Sequence, residues 1–349
     1  MGAIPFFING GNSILVSKLG YASDNIISAR MVIANGSLVE ISETENPDLL
    51  YAIRGAGQYF GGVVSLTIRT YPVSEVFGND DGKFWSGRFV FPINRVNSVA
   101  EAMQDIVNDG NYCTGGLIMI AAPPPAFTPA VLVTAKLIHP ESIMVQSDVF
   151  AKLYSLEPVN AAGALLAIEN NADALQPLMT PGDYKNLRLT GMPKYDSTAL
   201  PEIARLWQDL TTTTCPDTAK TISSIQWESQ PPRESAFESA NSLHTVRFWA
   251  NNTIWYSDPL SQEAAQRYLE EVIAVSRKGQ LEEEYVDFTN SVRGPESPVE
   301  RTYKGRERLE RLRGSKAKWD PRGLFGEEFL ELQKGARCVV CSVRKRRCL

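Results

Sequence analysis

Two glycine-rich stretches and a few titratable side chains are the places where this sequence could do chemistry. Gly10-Gly11-Asn12-Ser13 sets two residues without side chains beside two that donate hydrogen bonds, a pattern that lets the backbone approach a phosphate. The same four residues also make an ordinary tight turn. Gly55-Ala56-Gly57-Gln58-Tyr59-Phe60-Gly61 has the look of a dinucleotide-binding loop, but such a loop follows a strand and opens a helix whose N-terminus holds the pyrophosphate. Here a helical pattern comes before the glycines and a β-branched run at residues 63–70 comes after them, which argues against NAD. The stretch reads as a helix-to-strand turn whose glycines permit close backbone approach. His139 and His244 are the only histidines, and the chain has no Gly-x-Ser-x-Gly elbow to make either part of a hydrolase triad. Both read as structural. Cys338-Val339-Val340-Cys341 with Cys348 is half a zinc knuckle, and three thiols without a second pair close no tetrahedral site. No metal is expected. Cys113 and Cys215 stand alone and read as unpaired thiols.

The elements that position these groups follow from periodicity. Residues 29–33 and 37–41 flank Asn35-Gly36, the signature of a hairpin. Asn46-Pro47-Asp48 opens a helix, with Asn46 at the N-cap, Pro47 at the first helical position and Leu49, Leu50 and Ile53 as its buried stripe. Residues 6–8 resemble a strand leading into the first glycines. From Phe77 the pattern changes: strands are expected at residues 84–91, 116–121, 130–137, 163–168, 221–227 and 245–255. Helices are expected from Val96 to Val107, at residues 145–153, from Leu200 to Leu210 and from Leu260 to Val275. Thr211 to Thr214 reads as a loop. Strands that come in pairs between single helices give an antiparallel sheet covered by helices on one face, an α+β arrangement.

Composition limits the partners. A net charge of −5 gives no broad basic face for nucleic acid, and no apolar run is long enough to span a bilayer. Residues 1–7 are apolar but lack the basic start of a secretory signal. The tripeptides Asn35-Gly36-Ser37 and Asn251-Asn252-Thr253 permit glycosylation without requiring it. Localisation is left open.

In order and spacing, several blocks resemble the second half of the FAD-binding (PCMH-type) module of fungal berberine-bridge-like oxidases, in the vanillyl-alcohol-oxidase superfamily. These are Gly10 to Ser13, Leu19 to Asn25, Arg30 to Ser37, Glu45 to Gly55, Tyr59 to Val64 and Arg69 to Pro72. Tyr285-Val286-Asp287-Phe288 is similar to that family's Tyr-x-Asn-aromatic signature, with Asp where Asn is usual, and Lys318 to Phe325 is similar to its closing loop. Gly62 and Val64 replace the usual Ile and Thr.

The resemblance implies four segments. Residues 1–76 are the C-terminal part of the FAD module, 77–281 a substrate domain, 282–330 a segment returning to the module, and 331–349 a disordered basic tail. It implies FAD held by Gly10, Gly11, Asn12, Ser13, Tyr21, Gly61 and Val63. Tyr285 and Asp287 then lie at the flavin, the phenol assisting proton removal and Asp287 placing an anion beside the cofactor. The implied activity is oxidation of an alcohol or related carbon of a small molecule, a secondary metabolite or a carbohydrate, by hydride transfer to flavin N5. Molecular oxygen is the implied reoxidant. The first FAD subdomain and its Gly-Gly-His motif are missing, so the chain is expected to be an N-terminally truncated form. A non-catalytic small-molecule-binding remnant, or a degenerate product without a stable fold, is the alternative.

Overall fold

In a computed structural model of the chain, residues 2–123, 127–170, 181–288, 298–327 and 329–330 are described. Strands β1 (Ile26–Val32), β2 (Leu38–Ile41) and β3 (Gly62–Ile68) form a small antiparallel sheet in the order β2-β1-β3. Asn35-Gly36 turns the first hairpin, with Val32 opposite Leu38. Helices α1 (Ala3–Ile8), α2 (Val16–Leu19), α3 (Pro47–Ala56) and α4 (Val73–Phe77) belong to the same part of the chain.

Residues 6–8 are helical, not extended. Gly2 leads into α1, its carbonyl accepts from the Phe6 amide, and Pro5 lies where an unpaired amide costs nothing. Asn46 precedes α3 as expected, but its side chain does not cap the helix. With φ +52° it turns back and its amide donates to the Glu40 carbonyl, 2.7 Å away.

Strands β4 (Lys83–Pro92), β5 (Cys113–Ala121), β6 (Ala130–Ile138), β7 (Asn160–Ala167), β8 (Tyr184–Met192), β9 (Ile222–Glu228) and β10 (Phe248–Tyr256) form a seven-stranded antiparallel sheet, order β7-β4-β6-β5-β9-β10-β8. Its helices are α5 (Val96–Ile106), α6 (Ser142–Val149), α7 (Ala151–Ser155), α8 (Ala199–Gln208) and α9 (Gln262–Ser276). Trp85, Phe89, Ile118, Val133, Ile225 and Ile254 project from one face into a core shared with α5, α7, α8 and α9. The α6–α7 break falls at Phe150, which is fully buried against Trp85 at 5.1 Å between ring centres. Residues 209–214 extend α8 as a wide helical turn where a loop was expected. Thr211 and Thr212 donate to the carbonyls of Trp207 and Gln208, a back-bonding that loosens a helix instead of ending it.

Two C-terminal helices, α10 (Val299–Thr302) and α11 (Arg306–Trp319), return to the small sheet, where Tyr303 and Leu312 share a core with Ile26, Met31, Leu49, Ile53 and Phe60. The irregular crossing between β9 and β10 also reaches this unit, since the Ala240 and Asn241 amides donate to Tyr51 and Arg54. The Cys338–Cys341–Cys348 tail lies outside the described residues.

Candidate functional site

The turn at residues 10–13 follows α1 directly. Gly10 and Gly11 have φ of +98° and +53°, conformations that side chains disfavour. Their carbonyls accept from the Ser23 and Ala22 amides, which fixes the turn against residues 21–25. A Cβ on Gly11 would stand 2.5 Å from both the Ala22 Cβ and the Phe6 carbonyl oxygen, so the chain itself fills that space. Ser13 Oγ accepts from the Leu15 amide at 3.1 Å. Asn12 is different. Its side-chain oxygen is buried and has no hydrogen-bond partner. A buried carboxamide oxygen left open in a glycine turn fits a ligand that brings N–H or O–H donors of its own, as a flavin ring and a ribityl chain do.

Tyr21 is fully buried, and its hydroxyl donates to the Leu243 carbonyl at 3.1 Å. Burial pushes the phenol well above its ordinary pKa. The Tyr21 hydroxyl is thus held by an internal hydrogen bond. Beside it Asp24 Oδ2 accepts from the Tyr21 amide and meets His244 Nε2, each at 2.8 Å. His244 lies edge-on to the Tyr21 ring at 5.3 Å and His139 edge-on to Tyr112 at 5.7 Å, both packing roles.

Gly61 and Val63 turn toward strand β1. A Cβ on Gly61 would lie 2.5 Å from the Val32 oxygen and 2.8 Å from Met31 Cγ, and Val63 pairs with Met31. The backbone at Gly61 and Val63 lies close against strand β1.

The expected catalytic pair lies on a short extended segment beside β8, where Asp287 bridges Thr190 and the Gly191 amide donates to the Val286 carbonyl. Side chains alternate along it. Val286 and Phe288 join Val16, Tyr21 and Trp249 in one cluster, while Asp287 is fully buried and meets Arg277 Nη2 at 2.5 Å. Arg277 Nε donates to Thr190 Oγ1 at 3.0 Å. The Tyr285 ring lies between the guanidinium groups of Arg277 at 4.3 Å and Arg301 at 5.3 Å. The anion expected at Asp287 is buried and paired with Arg277, because a carboxylate at zero exposure needs a counter-ion.

Sequence reasoning passed over Arg277, and also Lys136 and Glu228, which form a buried ion pair at 2.9 Å. Arg277 sits beyond the end of α9, at no helical or strand spacing from Asp287. Lys136 did leave a signal: a lone charge inside the apolar run at residues 130–138. Among the described residues no group of His, Cys, Asp and Glu could hold a metal ion, and no helix is long and apolar enough to cross a membrane.

No family model matches the chain. The FAD-linked oxidoreductase hasG of Aspergillus fumigatus is 27% identical over 349 residues, covering 93% of this chain and 70% of the relative. A xylooligosaccharide oxidase of Thermothelomyces thermophilus is 52% identical over 64 residues, 18% of this chain and 13% of the relative. FAD-linked oxidoreductase pgmH of Aspergillus terreus is 30% identical over 161 residues, 31% of its length. Among solved structures, 6-hydroxy-D-nicotine oxidase of Arthrobacter nicotinovorans superposes with a TM-score of 0.74 at 20% identity, over 94% of this chain and 71% of that one. Physcomitrella patens BBE-like 1 gives 0.71 at 15%, over 93% and 68%. The mixed fold and the antiparallel sheet agree with these structures, and the relatives that the chain resembles in sequence are named as FAD-linked oxidoreductases and a xylooligosaccharide oxidase.

Proposed function

We propose that this chain carries the substrate sheet and part of the FAD module of an oxidase acting on an alcohol or related carbon of a small molecule. A carbohydrate or a fungal secondary metabolite is the proposed substrate class. Relatives named for xylooligosaccharide and for FAD-linked oxidation support that class. Bound FAD supplies a two-electron acceptor for hydride, with molecular oxygen as the proposed reoxidant. Tyr285 is the residue proposed to take or orient the proton of the substrate hydroxyl, its ring fixed between Arg277 and Arg301. Asp287 serves as the counter-ion of Arg277.

The observation that carries this reading is the turn at residues 10–13 with its unsatisfied Asn12 oxygen. The FAD of the glucooligosaccharide oxidase of Acremonium strictum is 6-S-cysteinyl and 8α-N1-histidyl. In this chain His244 is engaged by Asp24, and Cys113 is buried with its sulfur 3.3 Å from Ser17 Oγ, so FAD is proposed to bind without a covalent link. Titration of the purified chain with FAD, followed by flavin fluorescence and acid precipitation, tests this. Saturable quenching that weakens in Asn12→Ala, with all flavin released by acid, is expected. No quenching at any FAD concentration would remove the proposal. The engagement of both Tyr285 and Asp287 in cation contacts favours a second reading, a binding lobe without turnover. Oxygen consumption with a panel of oligosaccharides and alcohols separates the two.

A further inference from the structure

On the face of the large sheet opposite helices α5, α8 and α9, one row of residues crosses three strands. Gly115 on β5 is paired with Lys136 on β6 and with Glu228 on β9. Side chains at all three positions would point the same way. The middle one is absent, and a Cβ there would stand 2.6 Å from Lys136 Cε and 2.7 Å from each Glu228 carboxylate oxygen. Lys136 and Glu228 therefore meet over Gly115, with Nζ 2.9 Å from Oε1 and from Oε2. Both side chains are about 5% exposed.

The same ammonium also donates to the main-chain oxygen of Ile14, the residue that follows the turn at 10–13. The next carbonyls, Leu15 and Val16, hold α2 through the Leu19 and Gly20 amides, and Val16 also accepts from the Arg233 amide. A single buried cation thus ties the glycine turn to the sheet through one carbonyl.

We propose that Lys136, with Glu228 as its counter-ion, is the positioning strut that sets the turn at residues 10–13 against the substrate sheet. The inference rests on the reading of that turn as an FAD contact. Energetics favour a geometric role over a stabilising one. A buried ion pair seldom outweighs the cost of desolvating both charges. Glu228 Oε2 has no hydrogen bond beyond the ion-pair contact, and burial pushes the carboxyl up to about 7 despite Lys136 and Arg247. What the pair supplies is direction: a short rigid link between Ile14 and two strands of the sheet.

The test uses the whole chain. In Lys136→Met/Glu228→Leu neither member of the pair is left facing an empty partner, Arg247 keeping its bonds to the main-chain oxygens of Val107, Glu228 and Ser229, and amide hydrogen exchange is followed at residues 16–22 and in β5 and β6. Exchange of the Val16, Leu19, Gly20 and Ala22 amides is expected to quicken about tenfold while the sheet amides keep their protection. Gly115→Ala, which pushes the pair apart without removing a charge, is expected to give the same local pattern. Wild-type protection at residues 16–22 in the double variant would overturn the proposal. So would an equal loss across sheet and turn, the mark of a merely structural pair. The failure of the FAD reading looks different: the exchange pattern appears as expected while neither wild type nor variant shows flavin quenching.

Discussion

The segment at residues 285–288 packs through Val286 and Phe288 against Val16 and Tyr21, a few residues along the chain from the turn at residues 10–13, yet the turn and the segment are built on opposite principles. The turn has two glycines in positive-φ conformations and leaves a buried Asn12 oxygen open. The segment closes every charge it buries, with Asp287 on Arg277 and the Tyr285 ring between two guanidiniums. An open polar atom in a rigid turn has capacity to spare for a ligand. A closed ion pair has none, and its work is to hold a strand in place. Sites of the first kind are where a ligand gains most, and sites of the second kind are where mutation costs most.

The largest expected effect therefore lies at the closed end. Arg277→Met removes the guanidinium that meets the buried Asp287 carboxylate and is expected to destabilise the fold by about 3–5 kcal/mol. Asp287→Asn restores the residue usual in the resembled family but strands Arg277, so it too is expected to destabilise, by about 1–3 kcal/mol. Urea unfolding of both variants and of Arg277→Met/Asp287→Asn gives the coupling energy. A coupling near zero would mean the two regions do not differ in the way described.

The second expected effect depends on pH. Glu228 has a folded-state pKa of about 7 against an ordinary 4.5, because burial outweighs Lys136 and Arg247, the cations that face it. A raised pKa means the folded state binds the proton more tightly. Its contribution is fully present below pH ~4.5 and is lost as pH rises through ~7. The difference in stability between wild type and Glu228→Gln should change across that window by about 3 kcal/mol at most. Taking the difference cancels carboxylates of opposite behaviour, such as Asp48 and Asp320, which are held low by their partners. A flat difference from pH 4.5 to 7 would show that Glu228 stays ionised in the fold.

What the sequence made legible follows the same division. Local signals were sufficient for the Asn35-Gly36 hairpin, for Pro47 at the start of α3 and for the alternation of β4, because turn chemistry and side-chain period act within a few residues. Strand β8 escaped notice because Arg188 and Thr190 occupy inward positions where an apolar alternation would have marked it. The glycine turn could be read as a candidate site, since two adjacent glycines are a local feature. The Asp287–Arg277 and Lys136–Glu228 pairs could not, since each is made by tertiary packing between elements that the sequence does not join.

The smallest expected effect sharpens the comparison most. Tyr285→Phe keeps an aromatic face between Arg277 and Arg301 and removes only the hydroxyl. If Tyr285 belonged solely to the closed end of the molecule, the substitution would change little beyond stability, and that by about 0.5 kcal/mol or less. If its hydroxyl also serves the open end, as proposed, the same change leaves the fold intact while lowering turnover by about 10²–10⁴-fold, the usual contribution of a positioned acid or base. The expected result is an unchanged urea midpoint with a large fall in substrate-dependent oxygen consumption by the FAD-loaded protein. Unchanged consumption would assign Tyr285 wholly to packing, and would leave the turn at residues 10–13 as the one part of the proposed site still to be tested by FAD titration.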